Sequence, residues 1–129
     1  MKRLVLLFLV VVSLLTGCGT AGTSGESSYQ QISQKEAKEM MDTQEVLILD
    51  VREQEEYNSG HIPDAVLLPV GTITEESATE VIPDKDTTVL VYCRSGNRSK
   101  TAAKTLAELG YTNIYEFGGI TTWPYEVEQ

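Results

Sequence analysis

The chain has 129 residues, with 19 acidic against 10 basic side chains and a formal net charge of −9. That length suits one ordinary domain and not two, and the acidic balance argues against nucleic acid as a partner. Two cysteines, one histidine and scattered carboxylates offer no metal-ligand spacing, and nothing in the pattern asks for a metal or another cofactor.

Met1-Lys2-Arg3 is a short basic start, and Leu4 to Leu15 is an apolar run broken only by Ser13. The run is too short for a comfortable membrane span and reads as a secretory signal. The junction Leu15-Thr16-Gly17-Cys18 resembles the bacterial lipobox, which implies cleavage before Cys18 and a diacylglyceryl group on it. The plainer reading is an ordinary secretory signal with a chance cysteine. The expected organisation is a signal peptide over 1–17, a tether with lipidated Cys18 over 18–28 and a domain over 29–129. Losing Lys2 and Arg3 with the leader takes the 10 basic residues to 8 against 19 acidic, a net −11. Such a domain would sit outside the cytoplasmic membrane, held by acyl chains and repelled by anionic lipid. With Cys18 lipidated, Cys93 is the one remaining thiol and no intramolecular disulfide can form.

Gly19 to Ser28 is Gly-, Ser- and Thr-rich, as a flexible tether is. Ser33-Gln34-Lys35-Glu36 forms a capping-box pattern, with Ala37, Met40 and Met41 giving an apolar face to a helix ending near Asp42. Val46 to Leu49 is a continuous apolar strand, the pattern of burial on both faces. Asp50-Val51-Arg52 leaves its carboxyl end. Glu53 to Tyr57 makes a helical turn, Asn58-Ser59-Gly60 a break, and Ala65 to Leu68 a strand closed by Pro69. Thr72 to Glu80 is polar and predicts a surface helix.

Thr87 to Tyr92 predicts a buried strand, Ser99 to Leu109 a helix stopped by Gly110, and Asn113 to Phe117 a last strand. Alternating strands and helices over about 100 residues indicate an α/β domain with a mainly parallel sheet and helices on both faces. Ligands in such sheets sit beyond the carboxyl ends of the strands, where Asp50 and Cys93 both fall.

Between the Val89 strand and the following helix lies Cys93-Arg94-Ser95-Gly96-Asn97-Arg98-Ser99. Loop amides and a helix N-terminus converge there on one point and attract an anion, here the Cys93 thiolate or a group bonded to it. Arg94 and Arg98 add positive charge, and Gly96 permits the curl. A thiolate so placed has a lowered pKa and is a usable nucleophile near neutral pH. The alternative for Cys93 is a buried structural thiol.

These residues resemble a single-domain rhodanese-like sulfurtransferase over nearly all of Gln30 to Trp123. The resemblance is carried by Leu49-Asp50-Val51-Arg52 with Glu56-Tyr57, by Gly60-His61-Ile62-Pro63, by the Cys93–Ser99 loop, and by Gly118-Gly119-Ile120 with Trp123. It implies a five-stranded, mainly parallel sheet and a Cys93 persulfide. Sulfane sulfur would pass from a small anionic donor such as thiosulfate to cyanide or a thiol. It also implies that Asp50 braces the cysteine loop and that Arg52 supports the same region; for Arg52 a plain surface salt bridge is the alternative.

Related phosphatases and arsenate reductases carry C-x5-R, whereas Cys93 to Arg98 is C-x4-R, a smaller ring suited to one sulfur. Those enzymes form one rival reading; a non-catalytic module that carries sulfur or docks to a partner forms the other. Asp64 stands where the family usually has glycine, and aspartate tolerates a left-handed backbone better than most residues. Arg94 is expected at the mouth of the loop. Arg98 either points charge at the site or anchors the loop to a carboxylate. His61 reads as a hydrogen-bonded turn residue, Trp123 and Tyr57 as core aromatics. No general base is required if the thiol is already ionised, and none adjoins Cys93 in the sequence.

Overall fold

The computed structural model describes residues 28–129, so the leader, Cys18 and nearly all of the tether lie outside the described residues. Five strands form one sheet: β1 (Gln30–Gln31), β2 (Leu47–Asp50), β3 (Val66–Leu67), β4 (Thr88–Cys93) and β5 (Asn113–Gly119). Their order is β1-β5-β4-β2-β3 and every pairing is parallel. The helices are α1 (Gln34–Thr43), α2 (Gln54–Ser59), α3 (Glu75–Val81) and α4 (Asn97–Glu108).

β2 and β4 lie inside the sheet, which explains their unbroken apolar runs. Alternate residues of each strand feed two cores. Leu49, Val51, Val89, Val91 and Cys93 pack with Ala78 of α3 and with Ala102, Ala103 and Leu106 of α4. Ile48, Leu90 and Tyr92 pack on the other face with Ala37 of α1, Ile62, Phe117 and Trp123. Helices on both faces bury both sides of a parallel sheet, as the apolar pattern required.

β1 is the strand that the residue pattern misses. Gln30 and Gln31 are both exposed, and they join the sheet by pairing with Tyr115 and Glu116 of β5. A two-residue polar edge strand carries no hydrophobic signal. The helix expected over Thr72 to Glu80 is divided: a 3-10 turn covers Val70–Thr72, and α3 begins after Thr74. Thr74 and Ser77 cap each other there, each side chain bonding the other's backbone N–H at 3.0 and 2.9 Å. At α1 the capping is one-sided. Ser33 Oγ accepts from the Glu36 N–H, but the Glu36 carboxylate takes the Ser33 hydroxyl instead of its backbone N–H.

The registers align the functional ends of the strands. Asp50 pairs with Tyr92 across β2 and β4, and a shift between Val91 and Cys93 sets Gly119 of β5 opposite Cys93. Asp64 has φ 68°, the left-handed conformation expected at that departure from glycine.

Candidate functional site

Cys93 is the last residue of β4, and α4 starts four residues later at Asn97. The chain reverses between them through Gly96, at φ 107°, a conformation that favours glycine. That curl turns the Gly96 N–H onto Cys93 Sγ at 3.0 Å. The helix N-terminus adds its positive end to the same point. α4 therefore begins two residues before the Ser99 suggested by the sequence, because Gly96 occupies its N-cap.

The loop is fixed from outside by the end of β5 and by the 3-10 turn Ile120–Thr122 that follows it. The Arg94 carbonyl accepts from the Thr121 N–H at 3.2 Å and from the Thr121 hydroxyl at 3.0 Å. Gly119 passes so close that a Cβ on it would stand 2.0 Å from the Arg94 oxygen. No side chain fits there without moving the loop. Gln34 of α1 donates to the Gly119 carbonyl at 2.8 Å and holds this crossing from the other side.

Cys93 is 1% exposed. Burial pushes its thiol pKa up, but the Ser99 hydroxyl and the N–H groups of Ser99, Gly96 and Ser95 outweigh that effect. The net shift is downward. Cys93, Gly96 and Ser99 converge on the sulfur, while Arg94, Ser95 and Asn97 form the exposed rim of the loop.

Of the two roles open to Arg98, the geometry supports anchoring. Its guanidinium makes a two-point contact with Glu56 of α2, at 2.7 and 2.9 Å. This hydrogen-bonded pair holds the Glu56 carboxyl well below its usual range, at about 2. Arg98 nonetheless lies near enough for its charge to be coupled to that of Cys93.

Asp50 and Arg52 form a separate buried cluster. Asp50 is fully buried and accepts from Arg52 Nη2 at 2.6 Å and from the Tyr92 hydroxyl at 2.6 Å. Arg52 continues to the Gly60 carbonyl at 2.7 Å, and Tyr92 Oη accepts from the Ile62 N–H at 3.1 Å. Burial, then the neighbouring Asp50, raises the Tyr92 pKa, so its phenol stays protonated and donating. None of the Asp50 hydrogen bonds reaches residues 93–99. The brace expected on the cysteine loop acts instead on Tyr92, one residue before it, and on the turn after α2. The surface salt bridge considered for Arg52 is in fact buried, since its side chain is 6% exposed.

His61 stacks on Tyr57 at 3.8 Å, with Nδ1 3.0 Å from the Tyr57 carbonyl oxygen. Its backbone exchanges two 2.8 Å hydrogen bonds with Glu128, which ties down the C-terminal tail. Among the described residues no group of three His, Cys, Asp or Glu side chains could hold a metal ion. A cleft of about 340 Å³ lies between α1 and the tail, lined in part by Met41, Trp123 and Tyr125; no residue of the cysteine loop lines it.

One residue near the sulfur was not anticipated from the sequence. Glu116 of β5 is 3% exposed and lies under the loop, accepting from the Ser99 hydroxyl at 2.6 Å and from the Gly118 N–H at 2.8 Å. The available signal was a glutamate between Ile114 and Phe117 in an otherwise apolar strand.

Comparison with known proteins gives a consistent result. A family model described as "Rhodanese-like domain" matches residues 33–125. A Coxiella burnetii protein named thiosulfate sulfurtransferase GlpE is 38% identical over 96 residues, covering 74% of this chain and 87% of its own. The Escherichia coli protein named thiosulfate sulfurtransferase PspE is 42% identical over 72 residues, covering 56% of this chain and 68% of its own. Among solved structures, one described as a rhodanese with anions from E. coli superposes with a TM-score of 0.61 at 32% identity. That match covers 66% of this chain and 99% of that one.

Proposed function

Because the chain belongs to the rhodanese-like family, whose members GlpE and PspE are named thiosulfate sulfurtransferases, we propose that it is a sulfurtransferase acting through Cys93. The observation that carries this reading is the four-residue curl that brings the Gly96 N–H to 3.0 Å from Sγ. In the first step the Cys93 thiolate attacks the outer sulfur of thiosulfate. The new S–S bond forms as the old one breaks, and sulfite leaves with the electron pair. The terminal sulfur of the resulting persulfide carries the negative charge and lies within reach of the loop N–H groups and the α4 N-terminus.

In the second step cyanide or an acceptor thiolate attacks that terminal sulfur and regenerates the Cys93 thiolate. Arg94, exposed at the rim, is the side chain suited to meet the dianionic donor. Arg98 keeps the loop in shape through Glu56. The C-x4-R spacing favours sulfur over a tetrahedral oxyanion, because the shorter ring offers a single point of convergence.

The test is thiocyanate formation by the full chain given thiosulfate and cyanide. Turnover that disappears in Cys93→Ser supports the proposal. Hydrolysis of an aryl phosphate without thiocyanate formation would contradict it.

We also propose that the chain is exported and anchored through a lipid on Cys18, the domain facing away from the cytoplasm. The support is the Leu15-Thr16-Gly17-Cys18 junction after the apolar run. Mass spectrometry of the N-terminal peptide from cells checks this: a mature chain beginning at acylated Cys18 is expected, and an unmodified Cys18 overturns it.

A further inference from the structure

Glu116 is a buried carboxyl group for which sulfur transfer as described has no use. Its side chain contacts are Ser99 Oγ at 2.6 Å, the Gly118 N–H at 2.8 Å and Gln31 Nε2 at 3.4 Å. Among the described residues, no lysine, arginine or histidine lies within 4 Å of it. Buried polar side chains are placed where hydrogen bonds hold them, so its position calls for a reason. The reason lies two contacts away. The Cys93 thiol is placed to donate to Ser99 Oγ at 3.4 Å, and the Ser99 hydroxyl donates onward to Glu116 Oε2.

We propose that Glu116 is a positioning residue that takes up the thiol proton of Cys93 through Ser99; this rests on Cys93 being the sulfur-transferring group. The S–H bond of Cys93 breaks as an O–H bond forms on Ser99, and the proton Ser99 already carried moves to Glu116 Oε2. No electron is exchanged and the buried site keeps one negative charge throughout. Ser99 changes from acceptor to donor toward the sulfur, so its new O–H stabilises the thiolate it has made. The proton stays on Glu116 while sulfur is loaded and discharged, since thiolate and persulfide anion carry the same charge. No proton has to cross the loop during turnover.

The Ser99 hydroxyl also lies 3.0 Å from the Gly96 carbonyl oxygen and 3.3 Å from that of Gly118, and Glu116 Oε2 at 2.6 Å is the nearest of the three acceptors. Arg98 of α4 lies near enough to feel the charge of the sulfur, but its guanidinium is held by Glu56 of α2. β1 contributes the uncharged Gln31, and α1 contributes Gln34, which is engaged with the Gly119 carbonyl. Arg94 on the rim is exposed.

Two groups that share a proton titrate as a pair, with two macroscopic steps. The test is the rate of iodoacetamide alkylation across pH, read at the Cys93 peptide by mass spectrometry in the full chain. The proposal expects a two-step profile: a first rise to a plateau where thiol and carboxyl share one proton, then a second rise as that proton leaves. Glu116→Gln is expected to lose the lower step and show a single titration. Ser99→Ala keeps both titrating groups but removes the hydroxyl that couples them, so it is expected to narrow the separation between the two steps, and it serves alone if Glu116→Gln does not fold.

A one-step profile in the native chain, a lower step that persists in Glu116→Gln, or an unchanged profile in Ser99→Ala overturns the relay. Because alkylation reads the thiol and not the transfer, the two proposals separate. Thiocyanate formation with a one-step profile sinks only the relay. A two-step profile that changes as expected in the variants, without any transfer, sinks only the sulfurtransferase reading.

Discussion

At the scale of single residues, the sulfur is governed by a contest between burial and hydrogen bonding, and hydrogen bonding wins. Its folded pKa is depressed, so the thiolate persists at a lower pH than in an unfolded chain and is lost only as pH falls through the depressed value. The alkylation midpoint of Cys93 in the folded chain is therefore expected below that of the same residue in urea; a higher midpoint would mean that burial dominates. Gly119→Ala is expected to reshape the loop, because the new Cβ would meet the Arg94 carbonyl at 2.0 Å. Overpacking of this kind costs about 1–3 kcal/mol, and here it also moves the N–H groups that face the sulfur. Urea unfolding with thiocyanate formation measures both effects, and a variant with native stability and turnover would refute the close approach.

Cys93, Gly96 and the loop arginines were legible in the sequence because they are contiguous and each residue type has a local reason. Glu116 and the role of Glu56 were not. They reach Ser99 and Arg98 across 17 and 42 positions of chain, and only the folded sheet brings them together. The same holds for Asp50, whose carboxyl meets Tyr92 because β2 and β4 are in register.

At the scale of elements, two clamps hold the strand ends. The Arg98–Glu56 pair joins α4 to α2 and is about a third exposed on each side, so solvent screening limits it to roughly 0.2–1 kcal/mol. The folded Glu56 pKa, about 2, lies below the ordinary value of 4.5 for such a carboxyl. The contribution is thus complete above about pH 4.5 and is lost as pH falls toward 2. Thermal unfolding of the native chain and Glu56→Gln should differ at pH 6 and converge near pH 2. A gap that does not narrow would contradict the assignment.

The second clamp is Tyr92, whose hydroxyl donates to Asp50 and accepts from the Ile62 N–H. Tyr92→Phe leaves that buried N–H unpaired, which costs about 1–3 kcal/mol. Denaturant unfolding measures it, and a change within a few tenths of a kcal/mol would show the hydroxyl to be idle. Elements with an apolar rhythm, such as β2, β4 and α4, were legible. β1 was not, because its two glutamines are exposed and carry no apolar signal.

At the scale of the molecule, the parallel sheet explains why one edge carries the chemistry. All five strands point the same way, so the ends of β2, β4 and β5 gather Asp50, Cys93 and Gly119 at one side. The two apolar cores hold that edge rigid from both faces. No residue of the cysteine loop lines the cleft beside Trp123, so the proposed reaction is assigned to the loop and not to that cleft. Such a site suits a small anionic donor.

The central claim is that Cys93 carries sulfur, and the most direct measurement is the mass of the full chain after thiosulfate, followed by cyanide in the same sample. The account predicts a gain of one sulfur located on Cys93, absent in Cys93→Ser, and its release by cyanide as thiocyanate. A Cys93 that alkylates readily yet never gains sulfur from thiosulfate would contradict the proposed thiosulfate reaction. A thiol that resists both reagents would contradict the catalytic role of Cys93 altogether.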